Sequence, residues 1–351
     1  MNYLFGGKRV RGILMSAAAA TLALASSTAW AGLYNDGKVL LTGGVFTVDG
    51  AGGGGAVPWA TITGYETRDG INGGVGFTYV KLPNYDLNFF GGSIGFFDRL
   101  EISAMSAKLS TDLPIVDVIG LVSSLGLDNG VDPWNTQIHM QTYGAKLRLF
   151  GDAVYTADSW IPQTAIGFLY KDNTTPEFVI NTLGAAENKD WEAYMAFTKV
   201  LFRYSTLVNF TARYTAANQI GLTGFGACNG FGPSKVCNDD KEVRAEVSVA
   251  HLLKKNFAIG FEYQMHGDNL DNRSINLANL PLTGLTELLG GVGLGGLEDA
   301  LQQQEESDWW DFFFAYAPSK NYSITIAYLM LGNIAVAENQ NGLYLSLHAT
   351  F

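Results

Sequence analysis

The sequence is poor in basic residues, in histidine and in proline, and beyond its first part it lacks long apolar runs. Its 351 residues include 22 lysines and arginines against 33 aspartates and glutamates, which gives a formal net charge of −11. Because an acidic surface repels phosphate and no basic stripe with interleaved aromatic rings is present, we exclude nucleic acid as a partner. After Leu24 no uninterrupted apolar run reaches the ~20 residues of a membrane-spanning helix, so any membrane insertion must use strands.

Residues 1–31 have the three parts of a secretory signal peptide. Three basic residues precede an apolar, uncharged stretch at 12–24, and a small-x-small cleavage motif ends at Ala31. A membrane anchor is the weaker alternative, because the apolar stretch is shorter than the ~20 residues that a spanning helix needs. We therefore predict cleavage after Ala31 and a mature protein of residues 32–351.

The two cysteines of the sequence, Cys228 and Cys237, lie nine positions apart. An exported chain meets an oxidising compartment, so we predict a disulfide that closes this loop. Closing so short a loop contributes about 2–3 kcal/mol of stability. Metal binding is the alternative, but the segment offers too few further ligands for it.

The last ten residues form an alternating strand. Successive side chains of a strand face opposite sides, so Leu343, Leu345 and Leu347 share an apolar face while Ser346 and His348 lie on the other. One apolar and one polar face is typical of a transmembrane β-barrel strand. The final aromatic residue resembles the terminal signal by which bacterial outer-membrane barrels are recognised for insertion. The predicted membrane-insertion signal, read by the barrel-assembly machinery, comprises Tyr344, Leu347 and Phe351.

Alternation with a period of two continues through most of the chain. The clearest hairpin joins a strand that starts near Glu242 to one that starts at Phe257. Most segments are close to the ~9–11 residues that a tilted strand needs to cross a bilayer. The predicted fold class is all-β, a transmembrane antiparallel β-barrel of about 14 strands, or of 12 if the amino-terminal segment folds inside. The other segments, apart from the final strand, lie near 38–48, 57–66, 72–81, 86–96, 99–109, 138–149, 160–171, 190–201, 204–215, 308–317 and 321–331.

The predicted connections alternate in length. Long ones occupy roughly 110–137, 172–189, 216–240 and 267–307, and most of the connections between them are short. Outer-membrane barrels have short periplasmic turns and long extracellular loops. The alternation therefore predicts one barrel domain with a defined orientation in the outer membrane of a Gram-negative bacterium.

Aromatic residues cluster where predicted strands meet loops. Such rings suit a bilayer interface because they combine an apolar body with a polar edge. A packed soluble core is the alternative, but the flanking Asp308 and Asp311 would be costly to bury there. The rings are those of Trp160, Trp191, Tyr194, Trp309, Trp310 and Tyr322.

Several sequence blocks stand out together, among them Asp308-Trp309-Trp310-Asp311 and those at 40–50, 52–55, 57–59, 97–101, 146–155, 217–221 and 331–335. They resemble a family of exported proteobacterial outer-membrane β-barrel proteins that is catalogued only as a domain of unknown function. The resemblance spans about residue 38 to the end of the chain. It implies an outer-membrane barrel and brings no settled activity and no functional motif. The segments near 110–137 and 267–307 are longer and more apolar than that family leads us to expect.

Charged side chains on the predicted inner faces together indicate a polar lumen. In a functional interpretation they line a water-filled or partly plugged pore and select the solutes that pass. In the structural alternative, which we favour for any single residue, opposite charges pair across strands in a filled interior. The lumen-lining candidates are Glu101, Lys146, Arg148, Glu192, Arg213, Glu242, Arg244, Glu246 and Glu262.

Two of the long loops contain apolar segments with helical spacing, at 113–125 and 282–301. Exposed apolar patches usually contact something. In one hypothesis the segments form a mouth that captures hydrophobic small molecules; in the other they pack as a lid or lie against lipid as amphipathic helices. We predict a channel or transporter for small solutes with hydrophobic cargo favoured. A structural or ligand-binding barrel without transport is the alternative.

An enzyme is the least favoured class. The sequence has four histidines, and neither a nucleophile elbow nor a metal-binding histidine pair is present. His266 with Asp268 is the best acid–base candidate, although a solvated loop histidine is the commoner case. We expect no enzyme, no cofactor and no metal, and an outer-membrane hydrolase is the minor alternative. The expected partners are outer-membrane lipids, the barrel-assembly machinery and hydrophobic small molecules.

Overall fold

The computed structural model describes residues 41–65, 70–111, 137–154, 159–230, 233–271, 273, 304–335 and 337–351. The predicted signal peptide at 1–31 and the apolar loop segments at 113–125 and 282–301 lie outside the described residues.

Twelve antiparallel strands close into one barrel. Each barrel strand pairs with the next one along the chain, and the last pairs with the first, with Gly74 opposite Thr350 and Lys81 opposite Leu343. In the order of the chain the strands are β1 (Ile71–Lys81), β2 (Tyr85–Phe96), β3 (Leu100–Thr111), β4 (Gln137–Phe150), β5 (Gln163–Asn173), β6 (Lys189–Leu201), β7 (Thr206–Thr215), β8 (Ala227–Asn229), β9 (Val236–Asn238), β10 (Glu242–Lys254), β11 (Phe257–Gln264), β12 (Glu305–Glu306), β13 (Trp309–Ser319), β14 (Tyr322–Met330), β15 (Ile334–Ala335) and β16 (Asn341–Thr350).

Four short strands lie outside the barrel, where β8 pairs with β9 and β12 pairs with β15. A six-residue helix, α1 (Pro176–Asn181), and two 3-10 turns, Phe202–Tyr204 and Gln219–Gly221, complete the secondary structure of the described residues. No helix in this part of the chain is long and apolar enough to cross a membrane.

Large apolar side chains cover the outside of the barrel. On β13, Phe312 and Phe314 are 54% and 56% exposed, whereas Asp311 and Phe313, which alternate with them, are buried. Soluble proteins rarely expose a continuous apolar band, but a barrel that spans a bilayer must do so. The fold is therefore a transmembrane β-barrel. Further outward side chains include Phe90, Ile94, Ile102, Tyr143, Leu147, Phe168, Trp310, Ile326, Tyr328 and Leu343.

The last strand has the two faces that its sequence predicts. Leu343 and Leu345 are exposed on the outside, and Tyr344, Ser346 and His348 are buried on the inside. The rings predicted at the bilayer interface need a correction, because Tyr194 and Trp309 point into the barrel and are buried. The direction of each side chain is set by its position in the alternation of β6 or β13, and not by its proximity to a loop.

Connection lengths alternate as predicted. Turns at 97–99, 202–205, 255–256 and 320–321 lie at one end of the barrel, which we call the short-turn end. The long connections leave from the opposite, long-loop end, where 82–84 is the one short connection. The β8–β9 hairpin belongs to the long-loop end and contains the bonded pair Cys228 and Cys237.

Residues 41–65 fold inside the barrel, and we call this segment the plug. Membrane strands were expected near 38–48 and 57–66, and the plug takes the place of both in the described residues. The barrel therefore has the smaller of the two predicted strand numbers. The physical reason is that β1 already pairs with β2 on one edge and β16 on the other, so no edge is left for another strand. The plug hydrogen bonds to itself instead, for example from Thr47 N to Ala51 O at 2.8 Å.

Glycines allow the plug backbone to lie directly against the inner wall. A Cβ atom at Gly54 would stand 1.9 Å from Glu262 Oε1, and one at Gly52 would stand 2.8 Å from Glu101 Oε2. Both distances are too short for a real contact, so a larger residue would have to displace either the carboxylate that binds the plug or the plug itself. The glycine-rich composition of 50–55 thus suits a segment packed inside a sheet better than it suits a strand of that sheet.

A disulfide can test the position of the plug. The backbone N–H of Ala60 donates to Thr198 Oγ1 of β6 at 2.7 Å, which brings the two backbones close together. We predict that Ala60→Cys combined with Thr198→Cys forms a disulfide that mass spectrometry of the folded protein detects. In the matched control, Ala60→Cys with Met195→Cys, the second cysteine is on the outer face of the same strand and should stay reduced. A crosslink in the control alone would contradict the internal plug.

Candidate functional site

The inner wall of the barrel has two halves of different chemistry. From β4 through β10 the inward side chains are mostly charged or polar, with Lys146, Lys171 and Arg213 among them. From β11 through β16 to β2 large apolar side chains such as Phe313 and Phe89 are mixed with polar groups, and we call this side the apolar half because its largest inward side chains are apolar. The plug lies between the two halves and contacts both.

A buried charge network fixes the plug to the polar half. Asp49 of the plug pairs with Lys171 Nζ at 2.8 Å and with Arg213 Nη1 at 3.1 Å. Glu192 pairs with the same two cations at 3.1 and 2.8 Å, and Arg213 also pairs with Glu246. Because these side chains are buried, the carboxylates and cations depend on one another for charge compensation.

A second buried pair holds the plug through its backbone. Glu101 accepts hydrogen bonds from the backbone N–H groups of Gly52 and Thr63, both at 2.8 Å. Lys146 donates to the carbonyl oxygens of Gly52 and Thr61, both at 2.7 Å, and pairs with Glu101 at 3.1 Å. Glu101 and Lys146 thus supply hydrogen-bond partners to backbone groups of the plug, which has no neighbouring strand to pair with.

The predicted lumen-lining residues thus fall into distinct places. Glu101, Lys146, Glu192, Arg213 and Glu246 form the network around the plug, and Arg148 pairs with Asp98 at the short-turn end. Arg244 is buried at the long-loop end beside Glu242, which is the one exposed member of the set. Glu262 alone faces the apolar half.

Two members of the lumen network, Asp49 and Lys171, are absent from the predicted set. The alternation of β5 could have identified Lys171, since Ile166, Phe168 and Tyr170 point outward and Lys171 has the opposite parity. No comparable signal existed for Asp49, because the plug has no periodicity to read.

An apolar cavity lies between part of the plug and the other half of the wall. The cavity contains about 850 Å³ of empty space, including its opening. Because the centre of a water molecule fits in only about 60 Å³ of it, the cavity is a narrow cleft. Plug residues such as Leu41, Val45 and Trp59 form one side, and strands β1, β2, β10, β11, β13, β14 and β16 form the other. Wall residues include Val80, Leu87, Phe89, Ala250, Ala258, Phe313, Ala315, Ala327, Leu329 and Tyr344.

Two carboxylates face this cavity side by side. Glu262 on β11 and Asp311 on β13 are direct partners in the sheet register and are 1% and 5% exposed. Glu262 Oε2 accepts from the Ala56 N–H of the plug at 2.7 Å. Asp311 Oδ1 has no hydrogen-bond partner, and no ion pair to Asp311 is found, within the described part of the chain. An acidic group with so little support among apolar side chains is an unusual feature for a purely structural wall.

His266 lies at the mouth of the barrel beyond the end of β11. Its ring packs on Trp309 at 4.5 Å between centroids, and its backbone N–H donates to Asp308 Oδ1 at 2.8 Å. Burial, reinforced by the charges of Arg244, Arg213 and Lys171, holds the pKa of His266 well below its usual value of 6.5. His266 is therefore a buried neutral ring and not the solvated loop residue that its sequence context suggests.

The fold and its lumen define the class of this protein as a transmembrane β-barrel with an internal plug. A family model described as "Protein of unknown function (DUF3034)" matches residues 42–348, and the chain belongs to that family.

Several solved barrels are similar in fold. A NanC porin is 10% identical, with 80% of this chain and 98% of that chain covered and a TM-score of 0.42. A KdgM porin is 7% identical, with 79% and 99% covered and a TM-score of 0.40. The outer membrane phospholipase of Salmonella typhi is 8% identical, with 79% and 90% covered and a TM-score of 0.35. No curated protein matches the chain.

Charge removal at Asp49 tests the lumen network. We predict that Asp49→Asn lowers the free energy of unfolding by about 3 kcal/mol, because Lys171 and Arg213 lose a buried counter-charge. Urea unfolding in lipid vesicles measures this. The matched control is Asp86→Asn, whose partner Lys81 is exposed at the barrel rim, and there the loss should be below about 1 kcal/mol. Equal losses in the two variants would show that the Asp49 network does not hold the structure.

The environment of His266 predicts a pH effect of known sign. The folded pKa of this ring lies below 6.5, so its contribution to stability is fully present above pH 6.5 and is lost as the pH falls below that value. We expect the wild type to lose stability relative to His266→Gln when thermal unfolding is followed from pH 7.5 to pH 5.5. His251→Gln removes an exposed histidine and serves as the control. A constant difference between wild type and His266→Gln over this range would contradict the assignment.

Proposed function

We propose that this barrel binds hydrophobic small molecules in the apolar cavity and passes them across the outer membrane. The observation that carries the proposal is the cavity itself, since the interior of a water-filled barrel is polar. Binding sites for small molecules are typically concave, mostly apolar and supplied with a few placed polar groups. The cavity between the plug and the wall has this character, with Glu262 and Asp311 as its charged groups.

The extent of the cavity along the barrel supports passage as well as binding. Its wall includes Trp309 and Leu331 at the long-loop end. It also includes Ala258 and Ala315, which lie near the short-turn end of their strands. A slender apolar molecule in this cleft would therefore run along most of the barrel height.

The internal plug makes general diffusion of hydrated solutes, as in a porin, the less favoured function. Five of the charged lumen candidates form the buried ion-pair network around the plug, which leaves them unavailable to coordinate hydrated ions. In the proposal these residues are anchors of the plug, and ion selectivity is not their role. A ligand-binding barrel without transport is the alternative function, because a fixed plug would allow entry from one side only.

The proposed setting is the outer membrane of a Gram-negative bacterium. The apolar outer face supports insertion in a bilayer, and the long loops would face outward with the short turns in the periplasm. In this proposal residues 1–31 are a signal peptide cleaved after Ala31. The last strand, with Leu347 facing outward and Phe351 at the rim, would be read by the barrel-assembly machinery.

We propose no catalytic step. His266 contacts Trp309, and the small polar cavity beside it is lined by charged residues, threonine and apolar groups, with no serine or cysteine among its described lining residues. A hydrolase of the serine type would need a nucleophile within hydrogen-bond reach of the imidazole.

Filling the cavity tests the proposal. Ala327 lies on the inner face of β14 between Phe313 and Tyr344 in the register, so Ala327→Trp would occupy the cleft. We expect the folded wild type to bind the neutral fluorescent probe N-phenyl-1-naphthylamine, and Ala327→Trp to bind it about tenfold more weakly. The control Ile326→Trp places the same ring on the outer face and should bind like the wild type.

Absence of probe binding to the wild type would overturn the proposed function. Binding that Ala327→Trp leaves unchanged would place the ligand elsewhere and would overturn it as well. Proteoliposomes loaded with a quencher then separate transport from binding, since a transporting barrel should deliver the probe to the interior faster than protein-free vesicles or vesicles with Ala327→Trp do.

A further inference from the structure

We propose that the molecules bound in the cavity are amphiphilic amines, whose apolar body lies in the cleft and whose cationic nitrogen meets Asp311 and Glu262. This inference rests on the proposed function and specifies the chemistry of the cargo. Its basis is the charge balance of the lumen, the hydrogen bonding of the cavity wall and the rings that surround the two carboxylates.

The charge balance leaves the carboxylate pair without a counter-charge from the described residues. Lys146 pairs with Glu101, and Lys171 and Arg213 pair with Asp49 and Glu192. Arg244 pairs with Glu242 at the long-loop end. None of these four buried cations pairs with the two acids of the apolar half. Two neighbouring carboxylates with like charge destabilise each other unless a proton or a cation lies between them.

The unpartnered hydrogen-bonding atoms that line the cavity include carbonyl and carboxylate oxygens, which can only accept. Asp311 Oδ1 lacks a donor among the described residues, whereas the Glu262 carboxylate has plug backbone N–H groups and the Ser248 hydroxyl beside it. Gln264 Oε1 and Thr325 Oγ1, on side chains 2% and 3% exposed, also lack partners and line the same cavity. The orientation of Gln264 follows from its Nε2, which donates to Glu246 at 3.1 Å. A primary ammonium group brings three N–H donors and no acceptor, which complements such a set.

Aromatic rings complete the environment of a cation. Trp309, Trp59 and Tyr344 line the cavity together with the carboxylates. Ring faces attract an ammonium ion, and the attraction grows when water is excluded. The indole N–H groups of Trp59 and Trp309 have no partners among the described residues, so an oxygen on the cargo would also find donors.

The same features disfavour fatty acids. A carboxylate head would meet two acidic side chains in an apolar cleft, with no described cation in the lining. Octylamine and octan-1-ol have the same eight-carbon apolar chain, and the chain of octanoate is one carbon shorter, so the head groups are the main difference among them. These three molecules can therefore separate recognition of the head from general hydrophobic binding.

Displacement of N-phenyl-1-naphthylamine from the full mature barrel in nonionic detergent at pH 7.5 tests the inference. We expect octylamine to displace the probe at about tenfold lower concentration than octan-1-ol, and octanoate to be the weakest. Asp311→Asn keeps the shape of the side chain and should bring octylamine to within about twofold of octan-1-ol. The control Asp86→Asn removes an exposed rim carboxylate and should leave the preference unchanged.

The outcomes separate the two proposals. Equal displacement by octylamine and octan-1-ol in the wild type would overturn the amine preference while the proposed function stands, and it would mean that a shared proton neutralises the pair. A preference for octylamine that persists in Asp311→Asn would also overturn it. Failure of the wild type to bind the probe at all would overturn the proposed function itself. Heat-modifiable mobility on gels verifies that each variant is folded.

Discussion

Closure of the sheet through the ladder between β1 and β16 is the constraint on which the rest of this structure depends. In a bilayer every backbone donor and acceptor must find a partner within the protein, and a closed barrel meets this condition without a free edge. The ladder runs from Gly74 opposite Thr350 to Lys81 opposite Leu343. Once it is formed, residues that precede β1 can join no edge, and the plug has to satisfy its hydrogen bonds against itself and the inner wall.

This requirement explains the division of the lumen. The plug carries Asp49 and a run of backbone groups that have no strand partner. The polar half of the wall supplies Lys171, Arg213, Lys146 and Glu101, which bind these groups. Its other side presents Leu41, Val45 and Trp59, which face an apolar wall. The plug therefore behaves like an amphipathic element in a barrel that is itself amphipathic across its diameter.

The apolar cavity is a consequence of the way in which the plug is held. Anchoring on one side draws the plug toward β4–β10 and leaves a cleft along β11–β16. Glu262 links the two features, because it binds the plug through Ala56 and faces the cleft beside Asp311. In the proposed function, recognition of a ligand and retention of the plug would share one side chain, which gives a physical route by which cargo could influence the plug.

The sequence by itself determined the barrel strands, the outward faces and the alternation of turns and loops, because side chains in a strand alternate strictly and lipid demands an apolar face. The same parity could have placed Lys171 and Asp311 inside the barrel. Only the tertiary structure decided that residues 41–65 form a plug and that Tyr194 and Trp309 face inward beside it. It alone brought Glu262 and Asp311 together, with no cation of the described residues paired to either of them. These features depend on which strand lies across from which, and local periodicity contains no information about that.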